Sequence, residues 1–292
     1  MKLRIVTGII ISGLFLASCG SSGDEGNIEM SETERAQDEM LNEMAESGEE
    51  EMVETFYLPS ALQIGSIFQK SGLNYIKGAT NPTSNSEKYV SQTSKILNFG
   101  IYSADLAYIV LNGQSQDAVN YLKVVSELSD KIGFGTVFES QDLMQRFEAN
   151  LGNRDSVINV MIDIQARTDM FVDDNNLQDV TYMIFAGAWV EGMYLGVKAS
   201  DKSNRHSLSG RLVEQMTILN NLNKALRSNE NQTDELKEIR KQLVQLEQFF
   251  NQLEENKNAQ NIASFKDYKL SQEHLDQLSN SIVEIRKSIV NP

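Results

Sequence analysis

The sequence predicts an all-α fold: a multi-helix bundle ending in a set of amphipathic helices with short heptads. Three observations predict it. The 292 residues include only three prolines, one of them the terminal Pro292, and a sandwich of short strands needs more turn-formers. Apolar residues recur at helical spacing. In the last third, Leu236, Ile239, Leu243, Leu246, Phe250 and Leu253 are spaced 3, 4, 3, 4, 3, and Leu275, Leu278, Ile282, Ile285 and Ile289 continue the pattern. Glycines close the periodic runs at Gly72, Gly113, Gly133 and Gly152, where a helix C-terminus favours them.

The first 54 residues read differently. Lys2 and Arg4 precede an apolar run from Ile5 to Leu16, a pattern that predicts a signal peptide over residues 1–18. A dozen apolar residues are too few to remain as a membrane span. The run ends in Leu16-Ala17-Ser18-Cys19, and Cys19 is the only cysteine of the chain. These four residues resemble the lipobox of bacterial lipoproteins. That resemblance implies a diacylglycerol on Cys19, cleavage before it, and a membrane partner held through the anchor. Each buried CH₂ of such an anchor contributes about 0.8 kcal/mol, so several acyl chains hold stably. Gly20, rather than Asp, follows the cysteine, which resembles the outer-membrane pattern. Ser21-Ser22-Gly23-Asp24-Glu25 resembles the acidic signal of surface lipoproteins in Bacteroidetes.

Residues 19–54 then form the expected acidic tether. Of the net charge of −15, the stretch Asp24–Glu54 carries −12, from 13 acids and Arg35. High charge and low hydropathy do not offset the entropy of folding. As a coil, the tether reaches roughly 30 Å. Met40, Leu41 and Met44 also permit a short helix that docks on a partner, although a solvated spacer is the simpler expectation.

An apolar helical core is expected over 55–200. The predicted helices run from Leu58 to Ser71, from about residue 86 to Leu111, from Asp117 to Ile132, from Ser140 to Leu151, from Asp155 to Val172 and from Leu177 to Ala199. Asp173-Asp174-Asn175-Asn176 is expected to turn the chain. The polar stretch Ala199–Ser207 predicts a boundary, followed by an amphipathic helical subdomain over 207–292. There Leu212, Leu219, Leu222 and Leu226 form a third, looser stripe. Antiparallel hairpins within the chain are expected to bury these stripes, with an intermolecular coiled coil as the alternative.

Composition excludes several chemistries. One cysteine permits neither an internal disulfide nor a multi-cysteine zinc site. Two histidines, His206 and His274, leave little for metal ligation. The acidic balance opposes nucleic-acid binding. No phosphate-cradling glycine loop, HExxH or nucleophile elbow occurs. The sequence is therefore read as that of a non-enzymatic protein with no cofactor and no metal, whose role is structural or is the binding of a protein partner.

Two acids in apolar runs are the remaining candidates. Asp105 has Ile101, Tyr102, Tyr108 and Ile109 one turn away. Glu191 has Gly187, Ala188, Tyr194 and Leu195, with Trp189 nearby. One reading is an interior network in which tyrosines or a cation such as Arg146, Arg154 or Arg167 satisfy both acids, since buried carboxylates must be paired or neutral. The alternative is a small-molecule pocket around Asp105 and Glu191, lined by Tyr102, Tyr108, Trp189 and Tyr194. Small residues spaced by four, Gly100 and Ala104, then Ala188, Gly192 and Gly196, predict a close approach of helix backbones.

The stretch Leu58–Lys198 resembles uncharacterised helical lipoproteins of Bacteroidetes. The residues that carry it are Pro59–Ile64, Asn81-Pro82, Gly100–Leu106, Gln114–Gln116 and Ala186–Tyr194. The resemblance implies an envelope location and a helical fold, and names no substrate.

Overall fold

The computed structural model describes residues 60–70, 75–138, 141–200, 205–229, 232–253, 255 and 270–292. The expected signal peptide, Cys19 and the acidic tether lie outside the described residues. Every regular element among them is helical: α1 (Ala61–Lys70), a 3₁₀ turn (Thr83–Lys88), α2 (Gln92–Leu111), α3 (Ser115–Ile132), α4 (Gly135–Phe138), α5 (Gln141–Ala149), α6 (Arg154–Asn175), α7 (Gln178–Ala199), α8 (Arg205–Ser228), α9 (Asp234–Gln252) and α10 (Gln272–Val290). The protein is an all-α multi-helix bundle.

Local chemistry sets the helix ends. Ser60 opens α1 with a capping box, its backbone N–H donating to Gln63 Oε1 at 2.6 Å while Ser60 Oγ accepts from Gln63 N at 3.3 Å. Ser91, Asn153, Thr233 and Ser271 cap α2, α6, α9 and α10 through their side chains. At the end of α3, Gly133 adopts φ 89°, Phe134 N donates to Ser129 O and Gly133 N to Asp130 O. That pattern closes the last turn and needs a residue that tolerates positive φ.

Three elements depart from the sequence expectation, the first being the short α4 (Gly135–Phe138), which that expectation does not include. The long helix expected from about residue 86 is divided. A 3₁₀ turn ends at Lys88, Tyr89 is extended, and Ser91 starts α2 afresh. Pro82 holds φ at −55° before the turn, and Ser91 Oγ offers the N–H of Ser94 a cap that a continuous helix would forgo. In the third case, α6 continues through Asp173 and Asp174 to Asn175, and the turn comes at Asn176, the one non-glycine residue with positive φ among those described.

The two most apolar helices, α2 and α7, run through the centre. They are parallel: Leu97 lies against Gly187, Asp105 acts on Glu191, and Tyr108 packs with Leu195. The intervening helices α3 to α6 carry the chain back between them. A Cβ on Gly100 would strike the Ile184 carbonyl oxygen, and one on Gly187 would strike that of Leu97. The close approach predicted from the small residues is therefore real, with Gly100 set against Ile184 and Ala188, and Gly187 against Leu97 and Ile101. Gly192 makes room for Ile64 of α1 in the same way.

The C-terminal helices complete this core. Every stripe residue named above in α8, α9 and α10 is at most 6% exposed, including Leu253 just after α9. The stripes are thus consumed inside the chain. One hydrophobic cluster extends from Ile64 to Val290, so the stretches read as 55–200 and 207–292 share a core. The expected polar boundary is shorter in fact, because α8 already begins at Arg205. Antiparallel to α7, α10 brings Arg286 to Glu191, while the Ile289 carbonyl reaches Asn98 lower on α2.

Candidate functional site

The parallel packing of α2 and α7 places Asp105 beside Glu191, both fully buried. Glu191 is engaged from one side by α10. Arg286 Nε donates to Glu191 Oε2 at 2.9 Å and Nη2 to Oε1 at 3.1 Å. This fork takes both carboxylate oxygens and is a strong geometry for a guanidinium. The Arg286 side chain is 13% exposed and lies 4.4 Å above the Tyr194 ring, so a cation–π contact shields it from water. Burial alone would lower the Arg286 pKa, but the fields of Glu191 and Asp105 raise it.

Asp105 is engaged from the other side by the loop before α2. Its Oδ2 accepts from the backbone N–H of Asn81 at 3.0 Å. Its Oδ1 has no donor. Burial first, and the negative charge of Glu191 second, push the Asp105 carboxyl well above the usual carboxylate range. A protonated Asp105 resolves the unpartnered oxygen, because Oδ1–H then donates to Glu191. With that proton in place, the two acids and the guanidinium together carry no net charge. That is the arrangement a dry interior tolerates.

The tyrosines serve the loop rather than the acids. Tyr102 Oη donates to the Pro82 carbonyl at 2.8 Å. Tyr108 Oη accepts from Ile76 N at 2.7 Å. Tyr121 on α3 bonds the Thr80 hydroxyl at 2.7 Å and the Asn81 carbonyl at 3.0 Å. Tyr89 Oη accepts from Asn81 Nδ2 at 2.8 Å. Asn81 is fully buried, and its side-chain oxygen also accepts from Asn85 Nδ2. Burial raises the hydroxyl pKa of all four rings, that of Tyr121 to about 12. They therefore remain neutral hydrogen-bonding groups at any physiological pH.

The structure thus brings together Asp105, Glu191, Tyr102, Tyr108 and Tyr194 from the sequence-predicted set. Trp189 is fully buried, with no partner for its Nε1, and it does not join the network. The expectation that Arg146, Arg154 or Arg167 completes it is corrected: Arg146 pairs with Asp163 at 2.6 Å, and the cation on Glu191 is Arg286. The expectation that tyrosine hydroxyls satisfy the acids is corrected too, since those hydroxyls go to loop groups. Sequence reading missed Arg286, Asn81, Tyr89 and Tyr121. A faint signal existed for Arg286, a cation flanking the Ile282–Ile285–Ile289 stripe, where its stem must lie along the core.

Among the described residues, no three His, Cys, Asp or Glu side chains form a cluster that could hold a metal. The turn Asp173–Asn176 is helical up to Asn175 and offers no loop of oxygen ligands. His274 Nδ1 lies 2.7 Å from Glu255 Oε1, which also accepts from Ser271 N; His206 is the second residue of α8. One described helix, α7, is long and apolar enough to cross a bilayer. Two thirds of its apolar window is buried, and its one central charge is paired inside the protein.

No protein-family model, curated protein or solved structure matches the chain.

Proposed function

We propose that the chain is a non-enzymatic lipoprotein of the cell envelope, anchored through Cys19 at the outer membrane, and that its helical body has a structural role or binds a protein partner. The observation that supports this reading over a ligand pocket is the use already made of the two acids. Both oxygens of Glu191 are taken by Arg286, Asp105 Oδ2 bonds Asn81, and the remaining Oδ1 is buried away from solvent. A site for a cationic or hydroxylated ligand keeps acceptors free for it. Here the acceptors tie α10 and the loop at residues 75–91 to the central pair of helices. The lipobox-like Leu16-Ala17-Ser18-Cys19 supports the anchor.

The test is fatty-acid labelling in the producing bacterium. The wild-type chain should take up a clickable palmitate and lose its first 18 residues. Cys19→Ala should do neither. Equal labelling of the variant would refute the anchor.

A further inference from the structure

We infer that the outward face of α6 is a docking surface for a cationic amphipathic helix of a partner protein, which gives the protein-binding reading, on which this rests, a place and a chemistry.

The helix has two apolar sides. Val157, Val160 and Val172 are buried toward the core, with Ile164 and Phe171 packed against it. Ile158, Ile162, Ala166 and Met170 recur every four residues and form a continuous ridge across the opposite side. Ile162 is 43% exposed and Met170 66% exposed, with Ala166 exposed between them. The other large hydrophobics exposed among the described residues, Ile76 and Val90, stand singly in loops. A solvated helix face is ordinarily polar, and a ridge spaced by four is the feature that enters the groove of a second helix.

The charges around the ridge have one sign. Past its first residue, the exposed charges of α6 are Asp155, Asp169, Asp173 and Asp174. The two cations of the helix, Arg154 and Arg167, are already engaged. Three of the acids crowd the last two turns, and the last turn has no basic residue. Both choices work against the isolated helix. Acids at a C-terminus oppose the macrodipole, and like charges four apart, such as Asp169 and Asp173, repel. Burial first, and the charge of Asp173 as well, raise the Asp169 carboxyl above its ordinary range, against the hydrogen bond from Gln165. Departures from local preference of this kind are expected where a surface serves another purpose.

The combination selects the occupant. An anionic leaflet would be repelled, as would the chain's own residues 24–54, which carry −12. A second copy, joined by a two-fold axis, would set the same acids against each other. A helix with Lys and Arg beside an apolar stripe satisfies both features, because its stripe takes the ridge and its cations face the acids.

The test is site-specific photo-crosslinking of the full chain in the producing bacterium. Benzoylphenylalanine replaces Asn159, exposed on this face, or in a parallel strain Val90, which is 81% exposed. The captured peptide is sequenced. Position 159 should capture a segment of another protein that carries Lys and Arg beside an apolar stripe. Asp169→Lys with Asp173→Lys should lower that yield about tenfold. The same variant should melt no lower than wild type, since it removes a repulsive pair and suits the helix dipole. Met170→Ser should lower the yield about tenfold as well. Capture of a second copy, capture of an acidic segment, or an undiminished yield in the charge-reversed chain would each overturn the inference. A partner captured from position 90 but not from 159 would overturn the inference alone and leave the protein-binding reading standing. Silence at both positions would count against the two together.

Discussion

Replacing Asp105 by Asn should not harm the fold at neutral pH and should flatten its pH dependence. Asn is shaped like the protonated acid. Its carbonyl can accept from Asn81 N, and its NH₂ can donate toward Glu191. The wild-type carboxyl has its pKa raised by burial and by Glu191. In the unfolded chain an Asp titrates near pH ~3.9. Between that value and the raised folded value, the native state holds one proton more than the unfolded state. Stability therefore falls as pH rises, by about 1.36 kcal/mol per pH unit for one proton. The contribution is fully present below the unfolded pKa and is lost once pH has passed the folded one. For a body of this size, that slope is roughly 3–5 °C of melting temperature per pH unit. Asp105→Asn removes it. Thermal melts against pH should therefore differ in slope, the wild type losing stability as pH rises above the ordinary carboxylate range and the Asn variant not. Asp105→Ala should instead melt lower at every pH, because it leaves the buried Asn81 N–H unpaired at a cost of about 1–3 kcal/mol. Parallel pH curves for wild type and Asp105→Asn, with the variant several degrees lower throughout, would refute the shared-proton arrangement.

Other substitutions probe the same packing. Arg286→Met should cost about 3–5 kcal/mol in denaturant unfolding, because it leaves the fully buried Glu191 without its cation. Double substitution with Glu191→Gln should recover part of that loss. Gly187→Ala should lower the melting temperature although Ala favours helices by about 1 kcal/mol, because its Cβ meets the Leu97 carbonyl and helix backbone cannot yield cheaply. Gly152→Ala, with open space around the position, serves as the neutral control. Leu278→Ala should cost about 2–5 kcal/mol with no change of oligomeric state in sedimentation, since that stripe is buried within one chain. Glu255 should stabilise the start of α10 in the opposite pH sense to Asp105. Burial pushes its carboxyl up, but hydrogen bonds from Ser271, its own backbone and His274 outweigh this and hold it at about 2. Its contribution is present above the ordinary carboxylate range and is lost as pH falls toward 2. Glu255→Gln should therefore lose stability at neutral pH and retain less of the wild-type acid sensitivity in the same melts.

The sequence by itself determined the helical class, most helix ends and the inward face of each C-terminal helix. Those features depend on chemistry within a few residues: the stripes through Leu243 and Ile282, and the glycine stops at Gly113 and Gly133. It also marked Asp105 and Glu191 as buried, since an acid with apolar neighbours one turn away on both sides has no route to water. The division at Tyr89–Ser91 escaped it, because the Ser91 cap and the hydrogen bond from Asn81 to the Tyr89 hydroxyl compete there with helix propensity. What only the tertiary structure decided was the pairing. Asp105 meets Glu191 because α2 and α7 are parallel and in register where Gly100 and Gly187 let them touch. Arg286 stands 95 residues from Glu191 along the chain, and any of several cations could have filled that role until packing brought one helix end against the acid. The same packing gave the tyrosines to the loop rather than to the carboxylates. A hydroxyl takes whichever partner lies within about 3 Å, and that distance is a property of the assembled core.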